Sequence, residues 1–277
     1  MGAYTVTVAG ATGKTGRHVA SEALARGWTV RAAARRPPGR WRWEPFDWDE
    51  PASWPGAFGG SQAAYLVIPF NHPGAPEAAP RLIRAVAAAG VARVVLLSSL
   101  DAEGADPAGP LRTAEDALAA SSPRWAILRP TWFLDNFTTG SFAGLTRAGE
   151  LRLPAGNARI PFIDARDVAA VAAACMAESG PEGILPLTGP EAIDHNDVAR
   201  ALAAALQQPI SYTPVAAGEF VEMMTGRGFP RDYATFLAHA LADVASGGKA
   251  IPVSDTVARV CGRPPFSAAE FARQFAA

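Results

Sequence analysis

The stretch Val6-Thr-Val-Ala-Gly10-Ala-Thr-Gly13-Lys-Thr-Gly16-Arg-His-Val constrains this chain more than any other. An apolar run leads without a break into a glycine-rich turn, and the residues after the turn suit a helix. Two phosphate-binding patterns overlap here. A P-loop needs glycine, four residues and then Gly-Lys-Thr. Gly13-Lys14-Thr15 supplies its end, but Val8 stands where the first glycine belongs. The dinucleotide pattern G-x-x-G-x-x-G is met in full by Gly10, Gly13 and Gly16. Gly10 turns the chain off the strand, Gly13 lets backbone approach a pyrophosphate, and Gly16 lets the helix lie close on the sheet. N–H groups exposed at the helix start then bind the phosphates. A nucleoside triphosphatase also wants a strand ending in Asp for magnesium, whereas Val94-Val95-Leu96-Leu97 ends in Ser98-Ser99. The turn predicts a dinucleotide site and no metal.

The next apolar strand, Trp28–Ala34, ends in Arg35-Arg36. NAD enzymes place a carboxylate there, on the adenosine ribose. Two arginines suit a 2′-phosphate instead, and so NADP(H) rather than NAD(H). Further strands are expected at Ala63–Ile68, Val91–Leu97, Trp125–Leu128 and Ile184–Leu187, with helices at Pro76–Ala89, Leu111–Ala120 and Ala165–Met176 between them. This alternation predicts an α/β fold with a doubly wound, mostly parallel Rossmann sheet. Residues 1–153 would form the dinucleotide-binding domain. Residues 154–277 would form a smaller, mainly helical substrate cap, with 184–188 returning to the sheet.

Several polar residues invite a catalytic or metal reading and have a simpler one. Asp164 and Asp167, and again Asp194 and Asp197, sit where helix N-termini favour acids, which leaves His195 as a first-turn surface residue. His72, between two nearby prolines, reads as a solvent-facing turn residue. Ser267 and Glu270 form a capping box, with Phe266 and Phe271 as its hydrophobic staple. Leu151–Gly156 reads as a short hairpin or loop, and the pattern beyond Pro209 turns helical.

Composition excludes some partners. A formal net charge of −1 offers no electrostatic attraction to nucleic acid or acidic membranes. Alanine-rich runs such as Ala169–Ala174 are interrupted by charge too soon to span a bilayer. Cys175 and Cys261 lie far apart without metal-type or redox-type spacing, and no apolar signal core precedes the first strand. The expectation is a reduced, cytoplasmic compartment, a small-molecule substrate, and a monomer or homodimer.

At this point an ordered series of motifs can be set side by side. It comprises Gly10-Ala-Thr-Gly13-Lys-Thr-Gly16, Phe46-Asp-Trp-Asp49, Tyr65-Leu-Val-Ile-Pro69 and Gly90-Val-Ala-Arg-Val-Val-Leu-Leu-Ser98. Leu128-Arg-Pro-Thr-Trp-Phe133, Pro161-Phe-Ile-Asp-Ala-Arg-Asp167 and Leu187-Thr-Gly-Pro190 complete it. The chain resembles the NmrA-like branch of the atypical short-chain dehydrogenase/reductases, nearest to the ergot-alkaloid-dehydrogenase-like and quinone-reductase-like proteins. The resemblance implies NADP(H) or NAD(H) binding and hydride transfer. It implies that Gly10, Thr12, Gly13, Lys14, Thr15 and Gly16 hold the pyrophosphate. By the same resemblance Arg35 and Arg36 take the 2′-phosphate, and Asp47 and Trp48 the adenine. Val67, Ile68, Pro69 and Phe70 border the riboses, and Pro130, Thr131, Trp132 and Phe133 the nicotinamide. Independently of the resemblance, the strand-end hydroxyls Ser98 and Ser99 are placed to orient a substrate oxygen or the cofactor amide, or equally to cap the turn.

The catalytic pair of many such reductases, Tyr-x-x-x-Lys, is absent. The tyrosines are Tyr4, Tyr65, Tyr212 and Tyr233, and none has lysine four residues on. Of 25 basic residues only Lys14 and Lys249 are lysines, so no mid-chain catalytic lysine exists either. Reduction of a simple carbonyl develops an alkoxide that needs a proton donor. An iminium needs only hydride, and a quinone or enone-like acceptor forms a delocalised anion that solvent protonates. The sequence therefore points to an NADPH-dependent reductase of an electron-poor acceptor. Ser98, Arg112 and Trp132 are the candidates for contact with the reacting groups. A non-catalytic NADP-sensing regulator and an NADP-dependent isomerase or epimerase are the alternatives.

Overall fold

The computed structural model describes residues 4–37, 39, 41–69, 72, 74–246 and 251–275, and these form two compact units. The first unit comprises Met1–Thr131, Ala165–Leu187 and Asp255–Pro264. Its strands are β1 (Thr5–Ala9), β2 (Thr29–Ala34), β3 (Arg42–Pro45), β4 (Ala63–Val67), β5 (Arg93–Leu97), β6 (Arg124–Pro130) and β8 (Gly183–Leu187). All pair in parallel, in the order β3-β2-β1-β4-β5-β6-β8. Parallel strands covered on both faces must be apolar at nearly every position rather than at alternate ones. The inner strands obey this: Val6–Ala9 of β1 and Ala63–Leu66 of β4 are buried without interruption.

Helices α2 (Trp54–Phe58), α3 (Ala75–Ala88) and α4 (Pro110–Ala119) share one core with the sheet. Leu82, Ile83 and Val86 of α3 lie at helical spacing against Leu66, Val94 and Leu96. Burying each such side chain contributes about 1.5–3 kcal/mol. Helix α6 (Ala165–Met176) packs on β4, β5 and β6, and contacts α1 (Gly16–Ala25) and α10 (Thr256–Cys261), which themselves touch β1, β2 and β8. Ten of its twelve residues are buried, and alanines at 169, 170, 172 and 173 keep it thin enough for that position. Buried arginines tie the sheet margins. Arg31 of β2 donates to Glu44 of β3 at 2.9 Å and to the Gly56 carbonyl at 2.9 Å, and its hydrogen bond, more than its charge, holds the Glu44 carboxyl below its usual range. Arg93 donates to the Glu178 carbonyl at 3.1 Å and to Glu182 at 3.2 Å. Cys175 is a free, buried thiol that desolvation pushes up to about 12, so it is inert.

The second unit comprises Trp132–Asp164, Thr188–Ser254 and Pro265–Ala277. It holds α5 (Ala143–Arg147), α7 (His195–Leu206), α8 (Ala217–Gly226), α9 (Arg231–Ala245) and α11 (Ala268–Arg273). Capping boxes open α7 at Asp194/Asp197 and α11 at Ser267/Glu270, as their sequences predict. The segment read as a hairpin or loop is instead a strand. β7 (Glu150–Leu153) pairs in parallel with β9 (Ser211–Pro214), in the stretch expected to be helical. Two four-residue strands so far apart in sequence leave too little local pattern to reveal their pairing. No helix among the described residues is long and apolar enough to cross a membrane.

His195 is the second correction. It is fully buried, not on the surface. Its ring stacks on Tyr212 at 5.2 Å and meets Phe162 at 5.4 Å and Phe137 at 5.9 Å edge-on. With Val198, Ala199 and Leu202 it completes an i, i+3, i+4, i+7 stripe facing the core. Neither ring nitrogen has a hydrogen-bond partner among the described residues. Desolvation lowers its pKa to about 4, against a smaller opposing pull from Asp194. The unfolded imidazole takes up its proton near pH 6.5 while the folded one does not until about pH 4. Its contribution to stability is therefore complete above pH 6.5 and lost as pH falls toward 4, by up to about 3 kcal/mol. Urea midpoints measured at pH 7.5 and 4.5 should show this acid loss in the native chain and a smaller one in His195→Phe; equal losses would refute the assignment.

Candidate functional site

The strand order reverses between β1 and β4. Chain leaving β1 turns one way to β2 and β3, and returns on the other side for β4, which opens a crevice outside the carboxyl ends of these two strands. The glycine turn lies there. Gly10 has φ +69°, and its N–H donates to the Ala33 carbonyl at 3.1 Å, tying the turn to the end of β2. The Gly13 N–H donates to the Gly10 carbonyl at 2.8 Å. A Cβ on Gly13 would stand 3.1 Å from the Gly10 oxygen, and one on Gly16 would stand 2.1 Å from it. Real side chains cannot occupy the second position. Helix α1 thus begins directly against the turn, and its N-cap residue Thr15 makes no side-chain cap, leaving the first-turn N–H groups uncapped by that side chain. The cradle fits a pyrophosphate.

Thr12 and Gly13 are exposed on the turn and Lys14 is half-buried, whereas Thr15 is buried. The Thr15 hydroxyl accepts from Tyr65 at 2.9 Å, beneath the turn. Tyr65 is fully buried and desolvation raises its pKa, so it props the turn and supplies no acid.

Arg35 and Arg36 follow β2 as exposed residues, and neither meets a carboxylate among the described residues. The Asp47–Trp48 turn is pinned by its neighbours. The Trp54 indole donates to the Asp47 carbonyl at 2.7 Å, the Asp47 N–H donates to Ser53 at 3.0 Å, and Trp48 lies edge-on to Phe46 at 6.0 Å. Val67 and Pro69 are half-buried at the end of β4, and the Ile68 side chain belongs to the core. Phe70 lies outside the described residues. His72 accepts from the Gly74 N–H at 3.2 Å, and its other nitrogen is 2.9 Å from Asp49. It is a half-exposed turn residue.

At the ends of β5 and β6 lies a buried polar cluster that the motif reading missed. Ser98 donates to Glu115 Oε1 at 2.5 Å. Arg129 grips the same carboxylate with two donors, Nε at 3.0 Å to Oε1 and Nη2 at 2.6 Å to Oε2. Glu115 is 3% exposed and Arg129 8%. The carboxylate raises the Arg129 pKa further through these bonds. Arg112 stands 4.0 Å from Glu115 and bonds Asp116 at 3.2 Å. The available signal was Glu115 itself, a charge on the α4 face that also carries Ala114 and Leu118. Pro130 is buried, and after it Thr131 is buried too, its N–H donating to the Leu187 carbonyl at 3.0 Å and its hydroxyl without a partner among the described residues.

Trp132 and Phe133 begin the second unit. Trp132 packs against that unit's core, and Phe133 bridges in parallel to Ile163. The same unit has a concavity of about 440 Å³ bordered by Thr138, Ser141, Arg147, Met224, Arg227 and Phe229. Its arginines stand at the carboxyl-terminal ends of α5 and α8, where the carbonyl ends favour cations, so they need no anionic ligand to explain them. Asp167, in the first unit, accepts from Arg263 at 2.7 Å and is structural.

Residues 10–179 match the NAD(P)H-binding family model. The NAD(P)H azoreductase of Xenophilus azovorans is 33% identical over 242 residues, which cover 83% of this chain and 81% of that protein. The (4-alkanoyl-5-oxo-2,5-dihydrofuran-3-yl)methyl phosphate reductase of Streptomyces griseus is 32% identical, over 98% of this chain and 99% of its own length. Among solved structures, the NADPH-dependent quinone oxidoreductase of Escherichia coli complexed with NADPH superposes with a TM-score of 0.83 at 24% identity, over 98% of this chain and 99% of that one, a likeness of fold. The glycine cradle, the strand-order reversal and these similarities converge: the chain belongs to the NAD(P)H-binding family of Rossmann-fold oxidoreductases, is similar in sequence to ergot-alkaloid dehydrogenases and in fold to NmrA and the quinone oxidoreductase, and is an NAD(P)H-using enzyme.

Proposed function

We propose that this enzyme passes hydride from NADPH to a small electron-poor acceptor of the iminium, quinone or enone-like class, and leaves protonation to solvent. The observation that carries this reading is the commitment of every tyrosine hydroxyl within the fold. Tyr4 donates to the Met176 carbonyl at 2.7 Å, Tyr65 to Thr15 at 2.9 Å and Tyr212 to the Gly156 carbonyl at 2.7 Å, while Tyr233 shares a 2.8 Å bond with Ser141. With no lysine between Lys14 and Lys249, the lysine that would lower a tyrosine pKa toward the working range is absent. The named substrates of the relatives, an azo compound and an unsaturated lactone, are electron-poor and support the class.

In this reading the nicotinamide supplies the hydride and the protein supplies position and dryness. Gly10, Thr12, Gly13, Lys14 and Gly16, with the backbone of Thr15, bind the pyrophosphate. Arg35 and Arg36 bind the 2′-phosphate, and Asp47 and Trp48 border the adenine. Val67, Ile68, Pro69 and Phe70 border the riboses. Pro130, Thr131 and, next in the chain, Trp132 and Phe133 are assigned to the nicotinamide, with Ser98 beside its amide.

Gly16→Ala should weaken NADPH binding at least tenfold and lower stability by about 1–3 kcal/mol through overpacking. Gly13→Ala, with its wider 3.1 Å approach, should do less to stability, as calorimetry and denaturant titration would show. Replacing Arg35 and Arg36 together by alanine should raise the Kd for NADPH by about ten- to a hundredfold and leave NADH binding unchanged; an equal loss for both cofactors would count against NADP selection. Across a panel of iminium, quinone, enone and simple ketone acceptors, NADPH consumption should favour the first three. A clear preference for simple ketones would overturn the proposal, as would tight cofactor binding without turnover of any acceptor.

A further inference from the structure

The Ser98–Glu115–Arg129 cluster does more than fill space. A serine hydroxyl has one proton to give and two lone pairs to accept with. Both oxygens of Glu115 accept guanidinium N–H groups, at 3.0 and 2.6 Å, so the group facing Ser98 is a carboxylate and can only accept. The Ser98 proton therefore lies along the 2.5 Å line to Oε1. What Ser98 has left is lone pairs. It cannot donate to a substrate oxygen, which removes it as the acid for hydride transfer.

Its place in the sheet says what it can do. Ser98 directly follows β5, and its N–H donates to the Leu128 carbonyl of β6 at 2.8 Å, so it stands at the carboxyl edge of the parallel sheet. At the nicotinamide end, a cofactor presents a primary carboxamide, which has two N–H donors. We propose that Glu115 is a positioning residue that fixes the Ser98 hydroxyl as an acceptor for the carboxamide N–H of the nicotinamide. Arg129 holds Glu115 in register, so one ion pair sets the polarity of a hydroxyl at the sheet edge. This rests on the cofactor reading given above.

The test compares binding of NADP⁺ with that of its 3-acetylpyridine analogue, in which a methyl group replaces the amide nitrogen. The 2′-phospho-ADP-ribose fragment, which has no nicotinamide, serves as the control. The native enzyme should prefer NADP⁺ by about five- to tenfold, the worth of one hydrogen bond. Ser98→Ala should bring that ratio to near one, and Glu115→Gln, whose amide can donate to Ser98 and turn its proton outward, should do the same. Fragment affinity should be unchanged in both. Ser98→Ala should also leave the shape of the kcat–pH profile as it is in the native enzyme. A native preference retained in Ser98→Ala overturns the proposal, whether or not Glu115→Gln folds. Failure of the native enzyme to bind the fragment would instead strike the cofactor reading.

Discussion

The carbonyl oxygen of Gly10 sets the geometry on which the rest of the first unit depends. It accepts the Gly13 N–H at 2.8 Å and leaves no room for a side chain at Gly16. A strand can then pass into a helix in six residues, with the helix start pressed against the strand end. Two further bonds extend this local constraint. The Gly10 N–H on Ala33 fixes the turn against β2, and hence against Arg35 and Arg36 just beyond it. Tyr65, a β4 residue, reaches under the turn to Thr15. Three neighbouring strands thus converge on a single turn, so its groups are held by the sheet and not by a loop. Such preorganisation keeps donors in place before the ligand arrives.

Much of this is legible in the chain. Glycines at 10, 13 and 16 have no explanation as good as a tight strand–helix joint, and continuous apolar runs distinguish buried parallel strands from alternating antiparallel ones. The capping boxes at Asp194/Asp197 and Ser267/Glu270 are visible because a cap is a contact between residues three apart. What eluded the sequence shares the opposite property. The β7–β9 pair joins residues about sixty apart, such as Leu151 and Tyr212, with neither strand long enough to show a period. Glu115 is one charge on a short helix, and only the tertiary approach of Arg129 and Ser98 makes it distinctive. For His195 the signal was present. Its spacing to Val198, Ala199 and Leu202 marks an inward stripe, but a first-turn histidine beside two aspartates draws attention to the cap instead.

Glu115 and His195 show two ways of burying a titratable group, with different consequences. Glu115 keeps its charge because Arg129 and Ser98 return the hydrogen bonds that water would give. Such a cluster costs desolvation and is strongly directional, which is useful where a hydroxyl must point one way. His195 has no polar partner among the described residues and sits among aromatic rings, so it stays neutral and behaves as a flat apolar side chain. Only the first kind can set the direction of a proton at a site.

That contrast bears on the chemistry. Directed hydroxyls make good acceptors, and the tyrosine hydroxyls that could have served as acids are engaged elsewhere, Tyr65 under the glycine turn and Tyr212 on Gly156. A strong general acid needs an exposed proton and a neighbour that lowers its pKa. Here the proton of Ser98 is turned inward, and Arg112 is paired with Asp116. Under the proposed function, hydride arrival is the demanding step and delocalisation in the acceptor does what a proton donor does in other reductases; on that proposal, specificity comes from which electron-poor molecules are held against the nicotinamide.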